Sequence, residues 1–408
     1  MTTPFLDAFF HHAQVRPDAW AWQAEDGTCQ TYAQLAQAVI ARVRAGVPAA
    51  LNGVPGERVL IEDWDDGGWE RFVWTAASQL LGMPSLALSN YQSSGRADEL
   101  AALWSPHVTV KTPHQLTFEG PTRQRSPVER LTSFCLAVDL NHGLNTPEIG
   151  LVGEEEWTAH LLSLCSTAPL FPGDLVVAVL PDTTGSWLSV WANVLSQGAL
   201  LEIVPLEYFP ALDRAWDWPP GAKHLHVSLA HALVLNRETI PEDGHVWIHG
   251  PCPTWALALF PRAGHIDVPP VRRVLVREAE PKSPPDGLYE FALNVDPEAA
   301  WRKAKEQALI AVPGVVDALL AKHPLDPGKP RPIGVVVWET SPEADARIRR
   351  HVETVCAEDP ELADRELVFL SQQFWRYHGI GDLQMSGCSL HFAEALANVI
   401  EHRKNGRP

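Results

Sequence analysis

Residues 171–205 read FPGDLVVAVLPDTTGSWLSVWANVLSQGALLEIVP, and this stretch decides the fold. Pro172-Gly173-Asp174 is a turn, and Leu175–Leu180 after it is a continuous apolar run of strand length, rich in β-branched residues. Trp187, Val190, Trp191, Val194 and Leu195 then fall at i, i+3, i+4, i+7 and i+8, the apolar stripe of a helix. Gly198 ends that helix and Leu200–Val204 reads as a second strand. Strand, helix and strand make one βαβ unit. Its strands are apolar on both faces, so they belong in a parallel sheet covered on both sides.

Outward from this unit, 408 residues exceed what one ordinary core organises, and more than one domain is expected. The formal charge of −18 disfavours binding to nucleic acid or to an anionic membrane surface. No apolar run approaches the roughly 20 residues that span a bilayer. The opening MTTPFLDAFFHHAQ has no basic region ahead of an apolar core, so it is not read as a secretory signal. Cysteines 29, 135, 165, 252, 356 and 388 show neither CxxC pairing nor metal spacing. They are read as reduced core thiols of a cytoplasmic protein.

From the start of the chain, Phe5, Leu6, Phe9, Phe10 and Ala13 share one face of a helix over 5–15. Pro17-Asp18 ends it, Ala19–Gln23 is a short strand, and Glu25–Thr28 a hairpin turn. Thr31 is placed to cap a helix from Tyr32 to about Arg44. Val59–Ile61 is a strand, about 68–81 a helix, and Pro84–Leu88 the next strand.

The order and detail of these pieces resemble the opening of the acyl-CoA synthetases and other adenylate-forming ligases. The residues that carry the likeness are Arg16-Pro17-Asp18-Ala19, Thr31-Tyr32, Gly53 to Val59, and Gly82 to Asn90. Residues 171–205 resemble the family's "GD-VL-VLP…GA-LV-VP" unit, 224–237 (HLHVSLAHALVLNR) its "T-L--VP--L--L" segment, and 271–281 (VRRVLVREAEP) its "LRRV--GGAPL". Residues 288–320 look like the start of its small C-terminal domain. The strand at 334–338, a helix over about 342–356 and ELVFLSQQFWRYHGIGDLQMSG continue that domain.

The chemistry of the family needs ATP held in line with a carboxylate, in a Ser/Thr/Gly-rich loop ending in Lys. The corresponding stretch here, DLNHGLNTPEIGLVGEEEW (139–157), has no Gly-Thr-Gly run and no Lys, and carries Glu148 and Glu154–Glu156. Carboxylates beside a triphosphate repel it. Between Pro281 and Tyr289 the family's "YG-TE" strand and "TGD" Asp are not found, and the alignment of GIGDL sets Asp382 at the catalytic Lys position.

Other constellations have plainer readings. His11 and His12 are adjacent and project to different helix faces; His224 and His226 alternate on a strand, with His231 beyond, and read as structural histidines without a spaced acidic or Cys partner. Ser186 follows a strand and opens a helix, but G-x-S-x-G is missing around it, and helix capping accounts for it better. Cys165 and Cys388 have no basic run to activate a thiol. Glu154–Glu156 form the charged first turn of a helix reaching Leu164. Trp187, Trp191, Trp216 and Trp218 either line an acyl or aromatic pocket or fill core gaps, and Pro219-Pro220-Gly221 also allows a surface loop for the last two.

The expected architecture is α/β: a shortened adenylate-forming-type N-terminal domain of αβ layers at 1–285, then a small α+β domain at 286–408. The resemblance implies an acyl-CoA synthetase-like protein that has lost the ATP motifs. The first expectation is a non-catalytic accessory protein with a remnant acyl pocket. The alternative is an acyl-adenylate or acyl-CoA ligase, or an acyl transferase, with a rebuilt site; ATP, Mg²⁺ and CoA enter only there. Candidate ligand-pocket residues are Asn141, His142, Asn145, Thr183, Thr184, Ser186 and Trp187, near the strand ends where α/β ligands bind. No catalytic residue and no metal ligand is assigned. The candidate partners are an intact ligase, an acyl carrier protein, or a second copy of the chain.

Overall fold

A computed structural model describes residues 4–24, 27–45, 56–62, 69–88, 94–112, 115–118, 134–139, 148–179, 186–204, 215–249, 252, 254–266, 270–277, 288–291, 297–320, 333–337 and 342–371. In chain order the large unit begins with α1 (Pro4–Val15), β1 (Trp20–Gln23), β2 (Cys29–Thr31), α2 (Tyr32–Ala45), β3 (Val59–Ile61), α3 (Trp69–Leu80), β4 (Ser85–Ala87) and α4 (Ser94–Trp104). It continues with β5 (Val108–Thr112), β6 (Gln115–Phe118), β7 (Phe134–Asp139), β8 (Glu148–Gly153), α5 (Glu154–Thr167), β9 (Leu175–Val179), α6 (Ser186–Ser196) and β10 (Leu200–Ile203). Then come β11 (His224–Ser228), α7 (Leu229–Leu233), β12 (His245–His249), α8 (Thr254–Leu257), β13 (Ala263–Ile266), β14 (Arg273–Arg277) and β15 (Leu288–Phe291). The chain ends in α9 (Pro297–Ile310), β16 (Val315–Leu320), β17 (Ile333–Val337), α10 (Pro342–Glu358) and β18 (Leu367–Ser371).

The βαβ unit read from 171–205 is present as β9, α6 and β10. A seven-stranded sheet has the order β13-β12-β11-β9-β10-β1-β2, and every pairing in it is parallel except the β1–β2 hairpin. An eight-stranded sheet, β15-β14-β8-β7-β4-β3-β5-β6, is parallel at its centre and antiparallel toward both edges. One apolar cluster takes Leu136, Val138 and Val152 from the larger sheet and Val176, Ala178 and Leu201 from the smaller one. The same cluster includes Phe9 of α1, Leu35 of α2, Phe72 of α3, Trp157 of α5 and Trp191 of α6, so these helices fill the layer between the sheets. Trp22, Phe72 and Trp191 meet at its centre, with Trp22–Trp191 ring centroids 5.2 Å apart and Phe72–Trp191 5.7 Å. Such edge-on aromatic contacts add about 0.5–1.5 kcal/mol each beyond burial. On its other face, the larger sheet is covered by Leu100, Leu103 and Trp104 of α4.

Local sequence explains the boundaries. Thr31 and Gln34 form a reciprocal capping box: Gln34 N–H donates to Thr31 Oγ1 (3.2 Å) and Thr31 N–H to Gln34 Oε1 (2.8 Å). The residues of the Arg-Pro-Asp and Thr-Tyr motifs converge on one place, the end of α6. The His12 ring meets Ser196 O at 3.1 Å, Arg16 donates to Gly198 O at 3.3 Å, and Tyr32 Oη donates to Ala199 O at 2.8 Å. Gly198 has φ +79°, and a Cβ there would lie 2.7 Å from the His12 ring. Glycine is required at that turn on both counts.

The chain folds as two compact units, one of Met1–Gly250 with Arg262–Leu293 and a second of Pro251–Pro261 with Asn294–Pro408. In the second unit β16, β17 and β18 form a three-stranded sheet whose core joins Leu309 of α9 to Val315, Ile333, Val335 and, from α10, Val352. Within it Trp255 Nε1 donates to Ile310 O at 3.3 Å.

Tyr32 contributes the most buried of the three bonds at the α6 terminus. Tyr32→Phe leaves the Ala199 carbonyl without its hydroxyl donor and is expected to lower unfolding free energy by about 1–3 kcal/mol. Urea unfolding of the purified variant measures this; an unchanged midpoint would contradict it.

Candidate functional site

The C-terminal ends of β9, β11 and β12 lie side by side, where parallel α/β sheets receive ligands. Of the residues expected there, Asn141, His142 and Asn145 fall between β7 and β8, and Thr183 and Thr184 between β9 and α6; all five lie outside the described residues. Ser186 is the first residue of α6. Trp187, the next, is buried in the central cluster, with its ring 3.7 Å from that of Trp191 and the Arg71 guanidinium 5.3 Å above it. A cation over an indole face in a desolvated setting gains about 2 kcal/mol.

The polar content of this region comes from histidines. His224 and His226 alternate on β11 and both are buried, as the strand reading requires. The strand HVWIH (245–249) brings His245, Trp247 and His249 alongside: His224 pairs in register with His245, His226 with Trp247, and Ser228 with His249. His226 Nδ1 and His249 Nε2 are 2.8 Å apart, a ring-to-ring hydrogen bond inside the core. Trp247 Nε1 donates to His224 Nδ1 at 3.2 Å, and His224 lies 4.0 Å from Asp174. Asp174 itself pairs with Lys223 at 2.8 Å. Gly264 on β13 lies opposite Trp247, whose ring fills the space a Cβ would take. Further along, Ser228 Oγ and His231 Nδ1 are 2.7 Å apart at the start of α7.

Helices α5 and α6 supply more polar groups to the same interior. His160 Nε2 meets Ser189 Oγ at 3.0 Å, Cys165 Sγ donates to Asn193 Oδ1 at 3.4 Å, and Gln197 Nε2 donates to Asn193 Oδ1 at 2.7 Å. Burial pushes the Cys165 thiol up, against any role as a ready thiolate. The five described cysteines, 29, 135, 165, 252 and 356, are free thiols. Among the described residues no group of three or more His, Cys, Asp or Glu is arranged to hold a metal ion.

Two sequence expectations change here. Trp216 and Trp218 are not on a surface loop: both are buried, donating to His231 O (3.0 Å) and Ala222 O (2.8 Å). Each indole N–H finds a carbonyl, which lets the rings enter the core. The strands at 245–249 and 263–266 were missed, although HVWIH alternates apolar Val246 and Ile248 with His and Trp between Gly244 and Gly250. Period two was the available signal.

No protein-family profile matches the sequence, and no curated protein matches it. Solved structures match by shape. A fatty acyl-CoA synthetase of Mycobacterium tuberculosis aligns over 90% of this chain and 94% of its own, at 12% identity and TM-score 0.53. Wild-type Escherichia coli MenE, solved with an m-phenylether-linked analogue of OSB-AMS, aligns over 97% of this chain and 99% of its own, at 13% identity and TM-score 0.53. The fold is that of the adenylate-forming enzymes, carried by a strongly divergent sequence.

Burial holds the histidines of this region neutral. It pushes His226 well below its ordinary value, and lowers His249 to about 3 and His224 and His231 to about 4. With folded-state values below the usual 6.5, the unfolded chain binds more protons once pH drops below about 6.5. Their contribution to stability is complete above that pH and is lost as pH falls toward 4. Urea unfolding is expected to weaken by up to about 1.4 kcal/mol per pH unit for each such histidine on going from about pH 7 to pH 5. A flat profile over that range would contradict the neutral assignment.

Proposed function

We propose that this chain is a non-catalytic protein built on the adenylate-forming fold, one that has given up ATP and acts by binding. In this reading it keeps an acyl or aryl pocket beside Trp187, and it works in the cytoplasm on an intact ligase or an acyl carrier protein. The observation that carries the reading is the composition of 139–157, the stretch the resemblance sets against the phosphate-cradling loop: it has no Gly-Thr-Gly run and no Lys, and carries Glu148 and Glu154–Glu156. Glu154, Glu155 and Glu156 form the first turn of α5, directly after β8.

The N-terminal dipole of α5 is already complemented by the protein's own carboxylates, with Glu156 also 3.7 Å from Arg272. In this reading 139–157, with no Lys and no Gly-Thr-Gly run, gives a triphosphate no cradle, and no adenylation step is derived.

Calorimetric titration tests this directly, using Mg-ATP and, separately, a non-hydrolysable acyl-adenylate analogue. Mg-ATP is expected to give no binding heat and no thermal shift. The analogue's acyl arm is expected to bind and to raise stability, by about 2.7 kcal/mol at one hundred times its dissociation constant. Submillimolar affinity for Mg-ATP would overturn the reading in favour of an acyl-adenylate enzyme with a rebuilt site. Failure of the analogue to bind would remove the acyl pocket.

A further inference from the structure

His226 and His249 stand apart from the other buried polar groups of the large unit. Each belongs to an interior parallel strand, each is buried, and their rings bond to one another across the strand pair at 2.8 Å, with centroids 5.1 Å apart. His249 is the last residue of β12, and Ser228, its partner in register, is the last of β11. The bond therefore fastens two neighbouring strands side chain to side chain at the end where the backbone ladder stops.

The proton count of this bond is limited. Two neutral imidazoles carry two N–H groups, one of which lies between the rings. One added proton makes an imidazolium that still donates to a neutral ring. A second puts N–H groups on both facing nitrogens, and the rings must then separate.

Among the described residues, the surroundings supply no compensating anion. The titratable groups acting on His226 are His249 and His224, and those acting on His249 are His265 of β13 and His160 of α5. Asp174, paired with Lys223, acts on His224 at the opposite end of β11; Asp243 and Arg262 act on His245. Trp247 stacks against both His226 and His245, with ring centroids 6.3 Å and 5.8 Å apart. From β9, Ala178 pairs in register with His226 and adds no charge.

We infer that the His226–His249 pair is an acid-operated latch: uncharged, it ties the C-terminal ends of β11 and β12 together, and on gaining protons it releases them. The release affects the strand ends and α7 before the rest of the large unit, because the larger sheet has no such pair at its centre among the described residues. This inference stands apart from the loss of ATP chemistry; it needs only the fold and the two rings.

Hydrogen exchange of the full chain, corrected for intrinsic rates, tests the latch from about pH 7.5 to pH 4.5. Segments 224–233 and 245–249 are expected to lose protection at least about tenfold at a pH where 134–139 and 148–153 keep theirs. The double variant His226→Asn, His249→Gln places amide groups near the bonding nitrogens and cannot titrate. It is expected to move the opening down by about one pH unit or more. Opening of both sheets at one pH in the wild-type chain overturns the latch, and so does an unchanged opening pH in a folded variant. Should the variant not fold, the wild-type comparison of the two sheets decides alone.

Discussion

Burial of β9 on both faces is the constraint that the large unit is built around. The strand has parallel partners on each side, β10 and β11, and Val176–Val179 are enclosed. A parallel neighbour requires a crossover, and a crossover puts a helix on the face of the sheet. Helix α6 is that crossover for β9 and β10, and its apolar stripe is the face that Trp22 and Phe72 pack against. Its C-terminus must then turn sharply into β10, at Gly198. His12, Arg16 and Tyr32 satisfy the carbonyls released there, which ties the first helices of the chain to the central unit.

The histidines show how polar residues enter such a core. A neutral imidazole carries one donor and one acceptor, so one ring can donate to the other without a charge, while His226 Nε2 and His249 Nδ1 stay buried without a hydrogen-bond partner. The price is sensitivity to protons, since an imidazolium in apolar surroundings loses its hydration. Among the described residues, His226 and His249 bear that cost with only other histidines acting on them, whereas His224 has Asp174 at 4.0 Å. The two ends of β11 thus differ electrostatically although one alternating pattern places both rings.

Much of this was legible in the sequence, for definite reasons. The βαβ unit, the Thr31 cap and the helices at 4–15 and 32–45 follow from strong periodicity and local chemistry. The framework motifs were legible because they meet in space: Arg16, Tyr32 and Gly198 are one contact, far apart in sequence. The strand at 245–249 escaped because His and Trp are not residues whose presence signals a buried face, although their alternation does. The His226–His249 bond depends on the register of two strands, which no single segment states. The surface reading of Trp216 and Trp218 failed because carbonyls 15 and 4 residues along the chain take their N–H groups, and proline-rich flanks gave no sign of it.

The fold by itself does not carry an activity; that rests on the site. Here the fold is like that of solved acyl-CoA synthetase structures, while 139–157 holds no Lys and no Gly-Thr-Gly run. The most direct measurement is carboxylate-dependent exchange of labelled pyrophosphate into ATP, run on the full chain with a panel of fatty and aromatic acids. It reports the adenylation half-reaction whether or not an acceptor is known. No exchange above the enzyme-free background is expected for any acid. Exchange stimulated by even one of them would contradict it and make the chain an adenylating enzyme.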